Sequence, residues 1–223
     1  MMLGITELTY TALIAFLIVI IIGPIFIPML RKFKFGQTVR DDGPQTHLAK
    51  NGTPTMGGII MIVAILITGL TRVKVSHDMA VGLICIAGFG FIGFLDDFIK
   101  IKLKRSLGLK AYQKIILQVA LSFYVAFYQY TSSSSASQLM IPFTDFVINV
   151  GILYIPIMMF IIVAIVNAVN LTDGLDGLAS GVTLIVSVFF MLFASSIAGN
   201  TEVAVLAAAT VGAAGTAAGA AVT

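Results

Sequence analysis

The feature that most constrains the fold of this chain is a series of seven apolar segments of membrane-spanning length or close to it. They lie roughly at Leu8–Leu30, Gly57–Leu70, Ala80–Phe98, Tyr112–Tyr130, Val147–Val166, Leu178–Ala198 and Val203–Val222. Only 10% of the 223 residues are charged, which is too few for the surface of a soluble domain of this size. We therefore predict an all-α fold, a polytopic integral membrane helix bundle of about seven spans in a single transmembrane domain covering residues 1–223.

Basic residues predict which side of the membrane each loop faces. All 13 lysines and arginines except Arg72 and Lys74 fall in residues 31–56 or 96–114. Basic loops stay in the cytoplasm, so the N-terminus is expected outside and both of these loops inside. The segment 167–178 is separated from each of them by an even number of spans, so we expect three cytoplasmic loops on one face.

The loop 167–178 concentrates polar groups between two apolar runs. It carries the amides of Asn167 and Asn170 and the carboxylates of Asp173 and Asp176. An ionisable group at the centre of a membrane helix costs about 2.5–3.5 kcal/mol, so such groups usually mark function. Helix N-capping of the sixth span is the structural alternative for both aspartates.

Two adjacent aspartates, Asp96 and Asp97, stand at the end of the third predicted span. Their repulsion is about 3–4 kcal/mol at an effective dielectric near 20, so a shared proton or a cation must relieve it. Neighbours on a helix point about 100° apart, which predicts different roles for the two side chains. The alternative is a helix end that frays into water, where paired aspartates are ordinary.

The available ligands favour a hard cation and a phosphate-bearing substrate. Carboxylate oxygens without paired histidines or cysteines suit Mg²⁺, or Mn²⁺, better than zinc. The basic residues on the same face fit a phosphate, although topology control and attraction to anionic lipid also explain them. Lys50 and Lys114 are the better phosphate candidates, because each lies beside a predicted helix start.

The first cytoplasmic loop ends in a glycine- and proline-rich turn, Lys50–Gly58. Its accessible backbone N–H groups could cradle an anion or a nucleobase. It lacks the Gly-Lys-Ser/Thr ending of a Walker A loop. A tight lead into the second span is the structural alternative.

Three motifs in this order resemble one enzyme family. Lys50–Gly58 (KNGTPTMGG), Gly93–Asp97 (GFLDD) and Asn167–Ala179 (NAVNLTDGLDGLA) are similar to the phospho-N-acetylmuramoyl-pentapeptide transferases (MraY, or translocase I). Arg40–Pro44 and His47 fit the first loop of that family as well. The wider superfamily transfers N-acetylhexosamine 1-phosphates to polyprenyl phosphates.

The resemblance implies a Mg²⁺-dependent reaction in the bacterial cytoplasmic membrane, with the active site facing the cytoplasm. UDP-N-acetylmuramoyl-pentapeptide gives its phosphosugar to undecaprenyl phosphate, which yields lipid I and UMP for peptidoglycan synthesis. By similarity, Asp96 and Asp97 are the catalytic residues, and Asp97 and Asp173 are metal ligands. The substrate-binding residues implied in the same way are Lys50, Thr55, Lys114, Asn170, Asp173 and Asp176.

The C-terminal part of the chain departs from this family. The family has about ten spans, and its second half carries a further metal-binding aspartate and a run of histidines. From Ala207 onward this chain contains only Ala, Gly, Val and Thr. Either the tail is a small-residue helix or the chain lacks the C-terminal part of the family fold, and the second is our expectation.

Other functions remain open at the level of sequence. Transfer of N-acetylglucosamine 1-phosphate to a lipid phosphate is the alternative within the enzyme class. A secondary transporter also combines acids with broken helices, but it places them near the membrane midplane, whereas these aspartates lie at predicted span ends. A binding or scaffold role is the third option. A homodimer is among the open oligomeric states, and no feature indicates a nucleic-acid partner.

Overall fold

The computed structural model describes residues 4–32, 56–72, 74, 76–103, 107–132, 137–141, 144, 146–172 and 177–220. Seven α-helices lie within these ranges. They are α1 (Ile5–Lys32), α2 (Gly58–Arg72), α3 (His77–Leu103), α4 (Ala111–Ser132), α5 (Tyr154–Thr172), α6 (Leu178–Ser196) and α7 (Thr201–Ala220). Strands β1 (Gln138–Met140) and β2 (Val147–Asn149) and a 3₁₀ turn (Gly151–Leu153) lie between α4 and α5.

The helices confirm the predicted fold class. Among the residues described, α1, α3, α5 and α6 are long and apolar enough to cross a membrane. The apolar stretches Gly58–Arg72 in α2 and Thr201–Ala217 in α7 are shorter. Each helix overlaps one of the seven predicted segments, because an apolar run of this length can satisfy its backbone in lipid only as a helix.

Two predicted boundaries were wrong. The fifth segment does not begin as a helix at Val147, because β2 pairs antiparallel with β1 and Leu139 lies opposite Ile148. The β-branched Val147 and Ile148 suit a strand, and α5 begins only at Tyr154. The third helix continues past Phe98 to Leu103, so Asp96 and Asp97 lie within α3 and not at its frayed end.

The chain divides into two compact units. The first contains residues 1–109 and 172–223, and therefore α1, α2, α3, α6 and α7. The second contains residues 110–171, with α4, the strands and α5.

The small-residue helix α7 is the buried centre of the first unit. Its residues Ala204, Ala208, Ala209, Ala213 and Ala214 are fully buried. All of these except Ala214 belong to two apolar clusters with residues of α1, α2 and α6. The tail is thus helical from Ala207 to Ala220, and its described side chains are packed, because small side chains let helix backbones approach closely in lipid.

Helices α7 and α1 approach each other closely at Gly212. A Cβ added to Gly212 would overlap the carbonyl oxygen of Ala12 and lie 3.0 Å from the backbone nitrogen of Phe16. Any side chain at this position must push two backbones apart.

Helix α2 packs antiparallel to both α1 and α3. Gly69 of α2 faces Met79 and Leu83 near the start of α3, and Gly90 of α3 faces Ile62 near the start of α2. At the far end of α2, Arg72 pairs with Glu7 at the start of α1. The C-terminal part of α3 therefore lies at the end of the unit where α2 begins.

In the second unit, contacts at both ends pair α4 and α5 in opposite directions. The rings of Tyr130 and Tyr154 stack with centroids 6.4 Å apart at one end. Toward the other end, Asn167 and Asn170 of α5 form hydrogen bonds with α4.

Candidate active site

The paired aspartates of α3 share one cation. The Lys100 Nζ lies 2.7 Å from Asp96 Oδ2 and 2.8 Å from Asp97 Oδ1. Lys100 stands three and four residues after them, which is the spacing that brings side chains together on a helix. The adjacent aspartates predicted a shared proton or a cation here, but Lys100 was not predicted as that cation. The Asp-Asp-x-x-Lys spacing was the signal that could have found it.

The two carboxylates have different surroundings, as their positions on the helix predicted. The Asp96 side chain is 14% exposed and also accepts a hydrogen bond from the Leu109 backbone N–H at 2.9 Å. The Asp97 side chain is 33% exposed. Asp96 is thus held by the segment that follows α3, whereas Asp97 is the more accessible carboxylate.

Gly108 lets that following segment approach Asp96. A Cβ on Gly108 would overlap the backbone oxygen of Asp96 and approach its carboxylate carbon to 2.7 Å. Gly108 is buried, so a side chain has no room to turn away. Sequence reasoning gave this glycine no role, because its neighbour in space is a dozen residues away in the chain.

We expect Gly108→Ala to move the segment away from α3 and to break the bond from Leu109 to Asp96. The rate of the proposed transfer reaction should fall by about tenfold or more, because small displacements of a catalytic group are costly. Transfer assays on purified protein check this, with Gly93→Ala as the matched control, since a Cβ on Gly93 meets nothing within 4 Å. Equal rates for the two variants would contradict the role given to Gly108.

Of the aspartate pair, the more exposed Asp97 carboxylate has the chemistry of a magnesium ligand. No cluster of three or more acidic, histidine or cysteine side chains occurs within the described ranges. Mg²⁺ commonly takes one or two carboxylates and completes its shell with water and substrate phosphate, so two hard carboxylates suffice. In this structure Lys100 neutralises the charge that such an ion would meet.

Two further predicted residues meet in the second unit. The Lys114 Nζ donates to Asn170 Oδ1 at 3.1 Å. One turn away along α4, the Asn167 Nδ2 donates to Gln118 Oε1 at 2.8 Å. Gln118 was not predicted, since a glutamine within an apolar run gives no signal before the opposing helix is known.

Four predicted site residues, namely Lys50, Thr55, Asp173 and Asp176, lie outside the described residues, as do Arg40–Pro44 and His47. The residues next to them are described. Met56 has a φ of 72°, which is rare for a residue with a side chain. Gly177, with a φ of 78°, occupies the N-cap position of α6, the position that the structural alternative gave to an aspartate.

A cavity of about 820 Å³ lies in the first unit among α1, α2, α6 and α7. Its lining includes Gly57 and Gly58 from the start of α2, and Gly177 and Ser180 from the start of α6. The described ends of two predicted motifs therefore meet at this cavity. Asp96 and Asp97 are not among the residues that line it.

The fold and these residues define a polytopic membrane protein with a paired-aspartate site. Residues 79–218 match the family model for glycosyl transferase family 4, and the chain therefore belongs to that family. Residues 50–62 match signature 1 of the phospho-N-acetylmuramoyl-pentapeptide-transferases, which confirms the resemblance that the motifs indicated.

Curated relatives carry the same name. The phospho-N-acetylmuramoyl-pentapeptide-transferase of Desulfitobacterium hafniense is 46% identical over 213 residues, covering 90% of this chain and 64% of the relative. That of Clostridium kluyveri is 48% identical over 208 residues, covering 93% and 65%. That of Caldicellulosiruptor bescii is 48% identical over 200 residues, covering 90% and 62%. The chain thus spans less than two thirds of the length of these relatives.

Proposed function

We propose that this protein transfers phospho-N-acetylmuramoyl-pentapeptide from UDP to undecaprenyl phosphate, giving lipid I and UMP in peptidoglycan synthesis. The observation that carries the proposal is the signature segment, residues 50–62. It leads into α2 at the end of the unit where α3 presents Asp96 and Asp97.

The proposed reaction is an attack of an acceptor phosphate oxygen on the β-phosphorus of the UDP-sugar. The bond from that phosphorus to the bridging oxygen breaks, and UMP leaves with the bond's electron pair. Phosphoryl transfer depends mainly on positioning and charge neutralisation. We assign Asp97, the more exposed carboxylate, to deprotonate or orient the acceptor phosphate. In an alternative two-step course, the Asp97 carboxylate attacks the β-phosphorus and displaces UMP. An acceptor phosphate oxygen then attacks the same phosphorus and displaces the carboxylate.

Asp96 has the supporting catalytic role in this proposal. It is held from two sides, by Lys100 and by the Leu109 N–H. A carboxylate fixed in this way keeps Lys100 beside Asp97. Lys100 is then placed to hold the negative charge of an arriving phosphate.

The remaining predicted residues are assigned to the nucleotide. Lys114 is a phosphate partner, and its contact with Asn170 supports placing both in one subsite. By resemblance to the family, Lys50, Thr55, Asp173 and Asp176 are assigned to binding uridine and the diphosphate. The described glycines beside them, Gly57 and Gly177, line one cavity.

We further propose Mg²⁺ as the cofactor, with Mn²⁺ as a substitute. When bound, the ion would neutralise charge on the diphosphate. Asp97 and Asp173 are the residues that would hold it. The site is proposed to face the cytoplasm of a bacterium, on the side of the basic loops.

The test is a transfer assay on the full-length protein in detergent with undecaprenyl phosphate. We expect UMP release and a lipid-linked product with UDP-N-acetylmuramoyl-pentapeptide and Mg²⁺, and no turnover after chelation of the ion by EDTA. UDP-N-acetylglucosamine is the control donor. Equal use of the two donors would favour the N-acetylglucosamine alternative, and no turnover with either would refute the proposal.

A further inference from the structure

One face of α4 in the second unit carries three polar side chains at four-residue intervals, Lys114, Gln118 and Ser122. Residues four apart lie on the same side of a helix. Gln118 and Ser122 are completely buried, whereas Lys114 is half-buried. Ser122 donates within its own helix, to the carbonyl oxygen of Val119.

The other two side chains connect α4 to α5. Lys114 donates to Asn170, and Gln118 accepts from Asn167, at 3.1 and 2.8 Å. The two asparagines are three residues apart on α5, so the contacts form two successive rungs between antiparallel helices. A shift of α4 along α5 by one turn would break both.

The two hydrogen-bonded contacts differ in how strongly they can fix the register of α4 along α5. Asn170 is exposed, and an exposed hydrogen bond from a long lysine side chain contributes little, because water competes and side-chain entropy is lost. The Gln118–Asn167 rung is at the buried position, where an unmade hydrogen bond is costly. The buried rung therefore sets the register.

Gln118 is nevertheless a poor choice for stability alone. Its Nε2 is buried and has no hydrogen-bond partner among the described residues. An orphaned buried donor lowers stability, and its presence in a native structure calls for a reason such as function.

We infer that Gln118 is a positioning residue. Through its bond to Asn167 it holds α4 in register with α5, so that Lys114 and Asn170 meet and present one polar subsite. The inference rests on the proposed function in taking that subsite to bind the nucleotide diphosphate.

The first test replaces Gln118 with the apolar residue of closest length, Gln118→Met, in the full-length protein. We expect kcat/KM for UDP-N-acetylmuramoyl-pentapeptide to fall by about tenfold, chiefly through a higher KM, because a displaced contact weakens substrate binding. The melting temperature in detergent should change little, since the orphaned Gln118 Nε2 donor is removed and Asn167 Nδ2 still donates to the carbonyl oxygen of Val163. Ser122→Ala, buried on the same face, is the matched control and should keep wild-type kinetics.

A double-mutant cycle tests whether Gln118 changes kcat/KM through Lys114. If Gln118 acts through Lys114, then Gln118→Met should have no further effect on kcat/KM in a Lys114→Met background. Additive losses would overturn the inference. A fall in melting temperature in both Gln118→Met and Gln118→Leu, with activity following the folded fraction, would also overturn it, because the residue would then be structural.

A cross-linking experiment separates this inference from the proposed function. In a Cys85→Ala background, which removes the one native cysteine, the pair Lys114→Cys and Asn170→Cys is treated with a short bis-methanethiosulfonate reagent. We expect rapid cross-linking with Gln118 present and at least about fivefold slower cross-linking after Gln118→Met. Equal rates, or no cross-link with Gln118 present, would refute the register role. Absence of transfer by wild-type protein would refute the proposed function and leave this result standing.

Discussion

Asp97→Asn is expected to lower the rate of phosphosugar transfer by about 10²–10⁴-fold, the range typical for loss of a general base. An amide cannot take a proton or hold Mg²⁺ as a carboxylate does. It also removes one of the two anions that bind Lys100, at 2.8 Å. The measurement is turnover of UDP-N-acetylmuramoyl-pentapeptide by the full-length protein at saturating Mg²⁺.

Asp78→Asn is the matched control for this variant. Asp78 lies in the first turn of the same helix, at the end opposite to Asp97. It should retain a rate close to wild type, because a carboxylate at a helix N-terminus contributes mainly to local stability. Retained turnover in the Asp97 variant would remove Asp97 from the catalytic role. A covalent phosphosugar adduct on Asp97 in the wild-type protein would identify the two-step course.

Gly212→Ala is expected to destabilise the first unit by about 3 kcal/mol, the upper end of what overpacking usually costs. The new methyl group would overlap the Ala12 carbonyl oxygen. A backbone atom cannot rotate away as a side chain does, so α7 and α1 must separate. The measurement is thermal unfolding in detergent followed by circular dichroism, since the chain contains no tryptophan.

Gly215→Ala, on the same helix, is expected to change stability in the opposite direction to Gly212→Ala. A Cβ at Gly215 would lie 3.9 Å from the Leu184 side chain, an ordinary contact. Alanine is favoured over glycine inside a helix by about 0.8–1 kcal/mol, so this variant should be as stable as wild type or more stable. Equal destabilisation by both substitutions would show that the close packing of α7 on α1 is not what holds the unit.

Much of the fold was predictable because the membrane restricts the choices. A run of some twenty apolar residues in lipid has little alternative to a helix, and α1, α3, α5 and α6 are such runs among the described residues. The boundary errors arose where that restriction does not apply. Val147–Asn149 pairs with Gln138–Met140, and the β-branched residues of the apolar run suit a strand but do not by themselves identify this partner.

The sequence by itself determined the family, the helical class and the chemical nature of the candidate site, since these depend on residue types and on spacing along one segment. Asp96 and Asp97 needed a counter-charge by Coulomb's law alone. Only the tertiary structure decided which groups surround them and which helices are buried. The approach of Gly108 to Asp96, the bond between Gln118 and Asn167 and the central place of α7 all join residues that are distant along the chain. Such contacts depend on how surfaces fit once helices are packed, and local propensity does not contain that information.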